Sequence, residues 1–441
     1  MAGMRWSGVA VGVLLCVCLL SVGGSPVAAQ ATASEVDVST LYETGTVDGN
    51  QQVRDIVRTE SGGLFALVLT NGGRETLVVG LDTSGPAVSA ATVSGRLESI
   101  SRVDTDAYAA AGVQGDTAIL TRINEAGWIE WTERYGGDRR DIGFDAVSAP
   151  HGDTYLLAST ESFENDTEYN TSNLWAVRVD DEGELRWDRL LEYEQSAAFP
   201  QGERLADGSL IATIQTGRSV DGDDSDGDKG VAAVRLAPDG DTEWRTEITG
   251  SDESDNAERV ADVAPAHDTG VVLAGGTNSG NADEENFDAW ATQLGADGDV
   301  VWQRQYDSEG RTFVGSIVRA ANGYLLAGGR LGRERGGTVS AGMLSRIDTD
   351  GTEQATSIVR PDRNARVVIR GAGWLGDDRL AMGGTTVIGG DGDETRSEGW
   401  VDAATTLPAG TDPGPSVWDT QHSEAERAGE AWTVEESSAD L

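Results

Sequence analysis

Short apolar runs bounded by Gly, Asp and Asn recur along the chain in a fixed order, with lengths and alternation that suit strands. The clearest is a run of small and apolar residues closing on Gly or Thr: LFALVLT at 64–70, AYAAAGV at 107–113, YLLAST at 155–160, SLIATIQTG at 209–217, VVLAGGT at 271–277, YLLAGGR at 324–330 and RLAMGGT at 379–385. Each is followed by another: TLVVGLD, TAILTRIN, LWAVRVD, GVAAVRLA, AWATQLG, AGMLSRID and GWVDAAT. These are apolar continuously or at alternate positions, as buried strands are. A tight turn comes next, such as Asp239-Gly240 or Asp297-Gly298, where glycine supplies the positive φ a hairpin needs. A further strand then completes the unit.

That last strand carries a marker. Trp131, Trp187, Trp244 and Trp302 each stand four residues after a turn glycine, Gly127, Gly183, Gly240 and Gly298, at steps of 56, 57 and 58 residues. A unit of this length holds four short strands but cannot bury its own apolar faces, so it must stack on copies of itself. The pattern predicts an all-β fold, a seven-bladed β-propeller of four-stranded antiparallel blades. The small-residue run is expected as the second strand, in a crowded inner position. The tryptophans read as packing between blades rather than as a ladder for stacking a ligand. After its third strand at 399–405 the seventh unit runs into LPAGTDPGP, which cannot continue a sheet, while VDVSTLYETG at 36–45 belongs to no unit of its own. The N-terminal strand is therefore expected to complete the last blade and close the ring, which also protects strand edges.

The G-x-x-x-W turns, together with Trp175 and Trp290 in the third strands, resemble those of secreted seven-bladed β-propeller repeat proteins and, more loosely, the pyrroloquinoline-quinone-like propeller repeats. The likeness covers about residues 35–407 and implies a scaffold often used for binding, with no single activity attached. Units one, six and seven lack the fourth-strand tryptophan.

Charge narrows the partner. The 441 residues hold 33 Lys plus Arg against 75 Asp plus Glu, a formal net charge of −42. Lys229 is the single lysine. This argues against binding nucleic acid through phosphates. It resembles proteins of halophilic archaea, whose acidic surfaces stay hydrated where molar salt cuts the Debye length to about 3 Å. Low salt is expected to destabilise the protein. Both cysteines, Cys16 and Cys18, lie in the apolar run 9–20 behind Arg5, and small residues at Val27 and Ala29 mark a cleavage site. The organisation expected is a signal peptide at 1–29, the propeller at 30–407 and an acidic, disordered tail at 408–441, giving a secreted or cell-surface monomer without a transmembrane span once processed. An uncleaved anchor is the alternative.

Candidate chemistry is sparse. In a four-stranded meander the 2–3 loops and the blade-to-blade connections share one face, and the long loops 161–173, 218–229, 277–288 and 386–398 all belong to it. Variable loops on a rigid frame are where binding surfaces are built. One of them holds Asp221, Asp223, Asp224, Asp226 and Asp228, whose oxygens suit calcium although the spacing is not that of an EF-hand. Calcium is the one cofactor the sequence offers. Asn165 and Asn170 are glycosylation sequons. Arg330, Arg333, Arg335, Arg360, Arg363 and Arg366 gather around the sixth unit on the long-loop face and suit a carboxylate or phosphate. His151 and His267 fall in separate turns, and no nucleophile or metal motif appears. The function expected is a non-catalytic propeller binding a protein or glycan of the cell envelope. The enzyme alternatives are a quinone-dependent dehydrogenase and a propeller glycosidase.

Overall fold

A computed structural model describes residues 34–35, 38–43, 51–82, 87–163, 172–191, 198–216, 230–248, 259–277, 288–306, 311–334, 337–359, 365–376, 379–388, 396–404, 407–408 and 410–411. Seven sheets follow one another around the ring, each built on a four-stranded antiparallel meander. Blade one, for example, comprises Gln52–Arg58, Leu64–Thr70, Glu75–Leu81 and Ala87–Ser94. The first strands are Gln52–Arg58, Arg96–Asp104, Asp141–Ser148, Ala198–Arg204, Arg259–Pro265, Arg311–Ala320 and Ala365–Gly376. Each lies beside the first strand of the next blade, so together they line a central channel. The fold is the seven-bladed propeller that the repeats predict. Among the described residues, no helix is long and apolar enough to cross a membrane.

The core is divided into seven hydrophobic clusters, one at each interface between blades. Phe65, Leu67 and Val78 of blade one pack on Leu97, Tyr108 and Ile119 of blade two. At the closing interface Leu375, Ala381 and Val401 of blade seven pack on Val53, Ile56 and Leu64 of blade one. Each apolar sheet face is thus buried by its neighbour, which is why no unit is stable alone. The second strands are the small-residue runs and are almost wholly buried, but they stand one place outward from the channel.

Closure uses the N-terminus twice. Val38–Glu43 pairs antiparallel with Arg396–Ala404 and supplies the fourth strand of blade seven, as expected. Just before it, Ser34–Glu35 pairs parallel with Glu353–Val359, the outer strand of blade six. The segment therefore ties two blades, a second contact that the repeat pattern did not reveal. At the other end Leu407 packs against the cluster between blades six and seven, and Pro408 is buried. Apart from Gly410 and Thr411, the rest of the tail lies outside the described residues.

The turn glycines and tryptophans prove to be one device shared between neighbours. Trp131, Trp187, Trp244 and Trp302 donate their indole N–H to carbonyls in the next blade's 3–4 turn, those of Asp181, Pro238, Ala296 and Thr349, at 2.8, 2.9, 2.8 and 3.0 Å. The glycine of that turn lies beneath the ring: a Cβ on Gly240, Gly298 or Gly351 would come within 2.9 Å of Trp187, Trp244 or Trp302. These glycines also have φ between +80° and +89°. They are required both by the turn and by the close approach of the ring.

Candidate functional site

Every first strand carries a β-bulge, and the residues that resume the pairing directly after it are Asp55, Ser99, Asp145, Gln201, Asp262, Ser316 and Gly371. A bulge disrupts the ladder locally and needs another partner for its backbone groups. Here the partner comes from the preceding blade. Asp55 Oδ2 accepts the Ile100 N–H, Ser99 Oγ the Ala146 N–H and Asp145 Oδ2 the Gly202 N–H, at 2.9, 3.0 and 2.9 Å. Asp262 Oδ2 accepts from Ile317 N–H and from Ser316 Oγ, both at 2.9 Å, and Ser316 Oγ accepts the Ala372 N–H at 3.3 Å. Each of these amides lies two residues beyond the last unpaired residue of its own blade's bulge.

Two blades break the series. Gln201 turns its amide onto the Pro200 carbonyl, and Gly371 has no side chain, because a Cβ there would meet Asp55 Oδ1 at 2.8 Å. The blades that follow them are the ones in which the aspartate serves itself. Asp262 Oδ1 accepts the Val263 N–H and Asp55 Oδ1 the Ile56 N–H, each at 2.8 Å. The result is a belt around the channel with three carboxylates in blades one, three and five.

Burial raises all three from the ordinary value of 3.8: Asp55 to about 8, Asp145 to about 7 and Asp262 to about 6. The accepted hydrogen bonds oppose the rise, favouring the charged form. Asp262 and Asp145 also repel charge on Asp55, which they can do only across the axis, since other blades separate them. Asp55 and Asp262 keep part of their surface open to solvent despite lying deep in the molecule, as channel-lining groups do.

On the long-loop side of the belt, the unpaired bulge residues of blades seven, one and two are Arg370, Arg54 and Glu98. Glu98 is clasped from two sides. Its Oε2 pairs with Arg54 Nη2, and its Oε1 lies 2.6 Å from Arg96 Nε. The Arg96 N–H is not aligned on that oxygen, so this contact is an ion pair rather than a hydrogen bond. Arg370 has no carboxylate partner among the described residues, and its buried Nε makes no hydrogen bond. Its charge is resisted first by burial, then by Arg54 and by Arg259 of blade five, with Glu98 offsetting part of this, and its pKa falls to about 10. Blade six lies between blades five and seven, so Arg259 and Arg370 meet across the channel mouth.

Aromatic rings complete the mouth. The Arg259 guanidinium stacks 4.4 Å above Phe199, which packs edge-on against Phe144 with centroids 5.4 Å apart. Phe199 has φ +54°, a left-handed conformation that disfavours a bulky side chain and that concentrates at functional sites.

Of the residues singled out in the sequence, Arg330 and Arg333 fall at the long-loop end of blade six, and Arg366 at that end of the first strand of blade seven. Arg330 is half-buried and has partners. Arg335, Arg360 and Arg363 lie outside the described residues, as do Asp221, Asp223, Asp224, Asp226, Asp228, Asn165 and Asn170. Among the described residues, carboxylates of Asp180, Asp181 and Glu182 lie within 4.8 Å of one another in an exposed turn. Asp180 is already committed to the Glu182 and Glu184 amides and to Arg186. His267 binds the 1–2 turn of blade six through the Gly323 backbone and Tyr324, and His151 caps a turn at φ +67°. The channel arginines escaped sequence reading because they are scattered over the whole chain.

No family model matches the chain, and no curated protein matches it in sequence. Solved structures similar to it include a protein of unknown function from Dyadobacter fermentans, with 9% identity, 84% of this chain and 99% of that one covered and a TM-score of 0.47. The polysaccharide lyase Uly1 has 12% identity over 86% of this chain and 94% of its own, with a TM-score of 0.47. A subtype N11 neuraminidase-like protein from a flat-faced bat isolate has 10% identity over 85% and 96%, with a TM-score of 0.43. At such identities no residue role transfers. The class of protein defined by the sheets themselves is the seven-bladed β-propeller, with a polar, arginine-bearing channel.

Proposed function

We propose that this is a non-catalytic binding propeller of the cell envelope, and that its ligand is an acidic glycan held at the long-loop mouth of the channel. The observation that carries the reading is Arg370, a guanidinium without a carboxylate partner among the described residues, gathered with Arg54 and Arg259 although each repels its charge. Glu98 offsets part of that repulsion but is itself paired with Arg54 and Arg96, so in a chain of net charge −42 Arg370 is left without an ion pair of its own, which favours an external anion. A guanidinium presents parallel N–H groups that match a carboxylate or sulfate. Phe144 and Phe199 offer apolar ring surface beside Arg259, suited to the C–H face of a sugar. Location outside the cell rests on the signal-like segment 1–29.

The test is binding of acidic and neutral oligosaccharides to the chain from residue 30 onward, by calorimetry at high salt. Acidic sugars should bind and neutral ones of equal length should not, and Arg370→Gln should weaken binding by about tenfold or more, the scale of one charged hydrogen-bonded contact. Equal binding of both classes, or an unaffected Arg370→Gln, would sink the reading.

A further inference from the structure

A cleft of about 300 Å³ opens where blades one, two and three meet. Its lining includes Arg74 after the 2–3 turn of blade one, Gly95 and Arg96 in the connection to blade two, Gln114 and Asp116 from that blade's 2–3 turn, and Arg140 before blade three. By the parity of the meander, all of these lie on the long-loop face. Three guanidinium-bearing residues from three blades therefore line one cleft with a single carboxylate. Arg74 and Arg140 are exposed, and neither has a carboxylate partner among the described residues.

The walls are built rather than draped. Gly95 N–H donates to the Arg74 carbonyl at 2.9 Å, and Thr76 Oγ1 donates to the Gly95 carbonyl at 2.9 Å. Gln114 Nε2 donates to the Ser94 carbonyl at 2.8 Å while its own Oε1 accepts from Arg134 at 2.8 Å. Asp116 and Arg140 use their carbonyls to accept the Asp141 and Glu161 amides. Gly95 has φ +136°, and a Cβ there would press on Ile119 and the Val113 carbonyl at 2.9 Å, so the floor must stay open. A preformed cradle binds without first spending free energy on ordering itself.

The cleft is joined to the channel mouth. Arg96, which lines it, shares the Glu98 carboxylate with Arg54, which stands beside Arg370. A continuous row of charges therefore runs from Arg140 and Arg74 through Arg96, Glu98 and Arg54 to Arg370. We infer that the cleft is a second anion subsite for the same ligand, so that the protein takes an acidic oligosaccharide with successive sulfate or carboxylate groups, one in the cleft and another at the mouth. This rests on the reading of the mouth given above. Glu98 is a positioning residue, holding Arg96 and Arg54 at a fixed separation so that two anions are met at once.

The test compares sulfated oligosaccharides of increasing length, uronate oligosaccharides without sulfate, and inorganic sulfate, on the wild type, on Arg74→Gln/Arg140→Gln and on Arg370→Gln. Both exposed arginines can be replaced without disturbing a core. A ligand gripped at two linked subsites gains about a hundredfold or more over one. The wild type should therefore bind long acidic chains far better than single-anion fragments, and Arg74→Gln/Arg140→Gln should erase that gain and remove the fragment site in the cleft while keeping the one at the mouth. Sulfated chains preferred over uronates, or the reverse, would assign the anion. Long chains bound as tightly by Arg74→Gln/Arg140→Gln as by wild type would overturn the second subsite alone. Loss confined to that double variant, with Arg370→Gln intact, would overturn the mouth instead and the shared-ligand proposal with it. Failure of the wild type to bind any acidic chain would overturn both.

Discussion

At the scale of the residue, the three belt aspartates decide how the channel responds to pH. An acid whose folded pKa lies above its unfolded value holds its proton preferentially in the folded state. Its contribution to stability is therefore complete below 3.8 and is lost as pH rises through about 6, 7 and 8 for Asp262, Asp145 and Asp55. The melting temperature should fall between about pH 4 and about pH 8, the window those values set, and Asp55→Asn should flatten the upper part of that slope. The substitution will also lower stability outright. Both carboxylate oxygens of Asp55 accept amides, from Ile56 and Ile100, and an asparagine must turn its NH₂ toward one of those donors. A buried donor left facing a donor costs about 1–3 kcal/mol, readable by denaturant titration at pH 5. A melting temperature that does not fall across this range would remove the belt as a titrating element. None of these residues stood out in the sequence. RDIV, FDAV and ADVA each place one acid in an otherwise apolar run, a signal that looks like a surface position of a half-buried strand until the bulge turns it inward.

At the scale of the element, the hairpin between third and fourth strands is the joint of the ring. Gly298 combines φ +85° with a Trp244 ring that a Cβ would meet at 2.7 Å. Gly298→Ala should therefore combine backbone strain with overpacking and cost about 2–4 kcal/mol, with a shift in tryptophan fluorescence as the Trp244 ring is displaced from the turn. Gly115, with φ +65° and nothing within 4 Å, is the control: alanine there carries only the backbone strain. Equal losses at the two sites would show that the ring contact adds nothing. The G-x-x-x-W motif announced a repeat from the sequence, but its glycine and tryptophan do not serve one another. Each tryptophan covers the glycine of the following unit, a pairing about one repeat away in the chain that no local reading can supply.

At the scale of the whole molecule, closure rests on Val38–Glu43 and on Ser34–Glu35 bound to the neighbouring blade. A chain beginning at Gln51 loses both. The edge of Arg396–Ala404 would then be a strand with unpaired amides, a template for association with other chains. Such a chain should melt at a lower temperature and aggregate, and adding the peptide 34–43 should reverse part of the loss. Unchanged melting would mean that the apolar interface of Leu375, Ala381 and Val401 with Val53 and Ile56 suffices to hold the ring.

The sequence by itself determined the architecture, because strand period, turn glycines and unit length are local properties repeated seven times, and the leftover strand at 36–45 had one vacancy to fill. It also set the acidic balance, and through that balance made unpaired arginines informative. Only the tertiary structure decided which arginines matter. Arg54, Arg96, Arg259 and Arg370 are up to 316 residues apart in the chain and meet because first strands are brought to one axis. Ring closure converts equal positions in successive units into neighbours around a channel, so a site made of one residue from each of several blades leaves no spacing to read in the linear order.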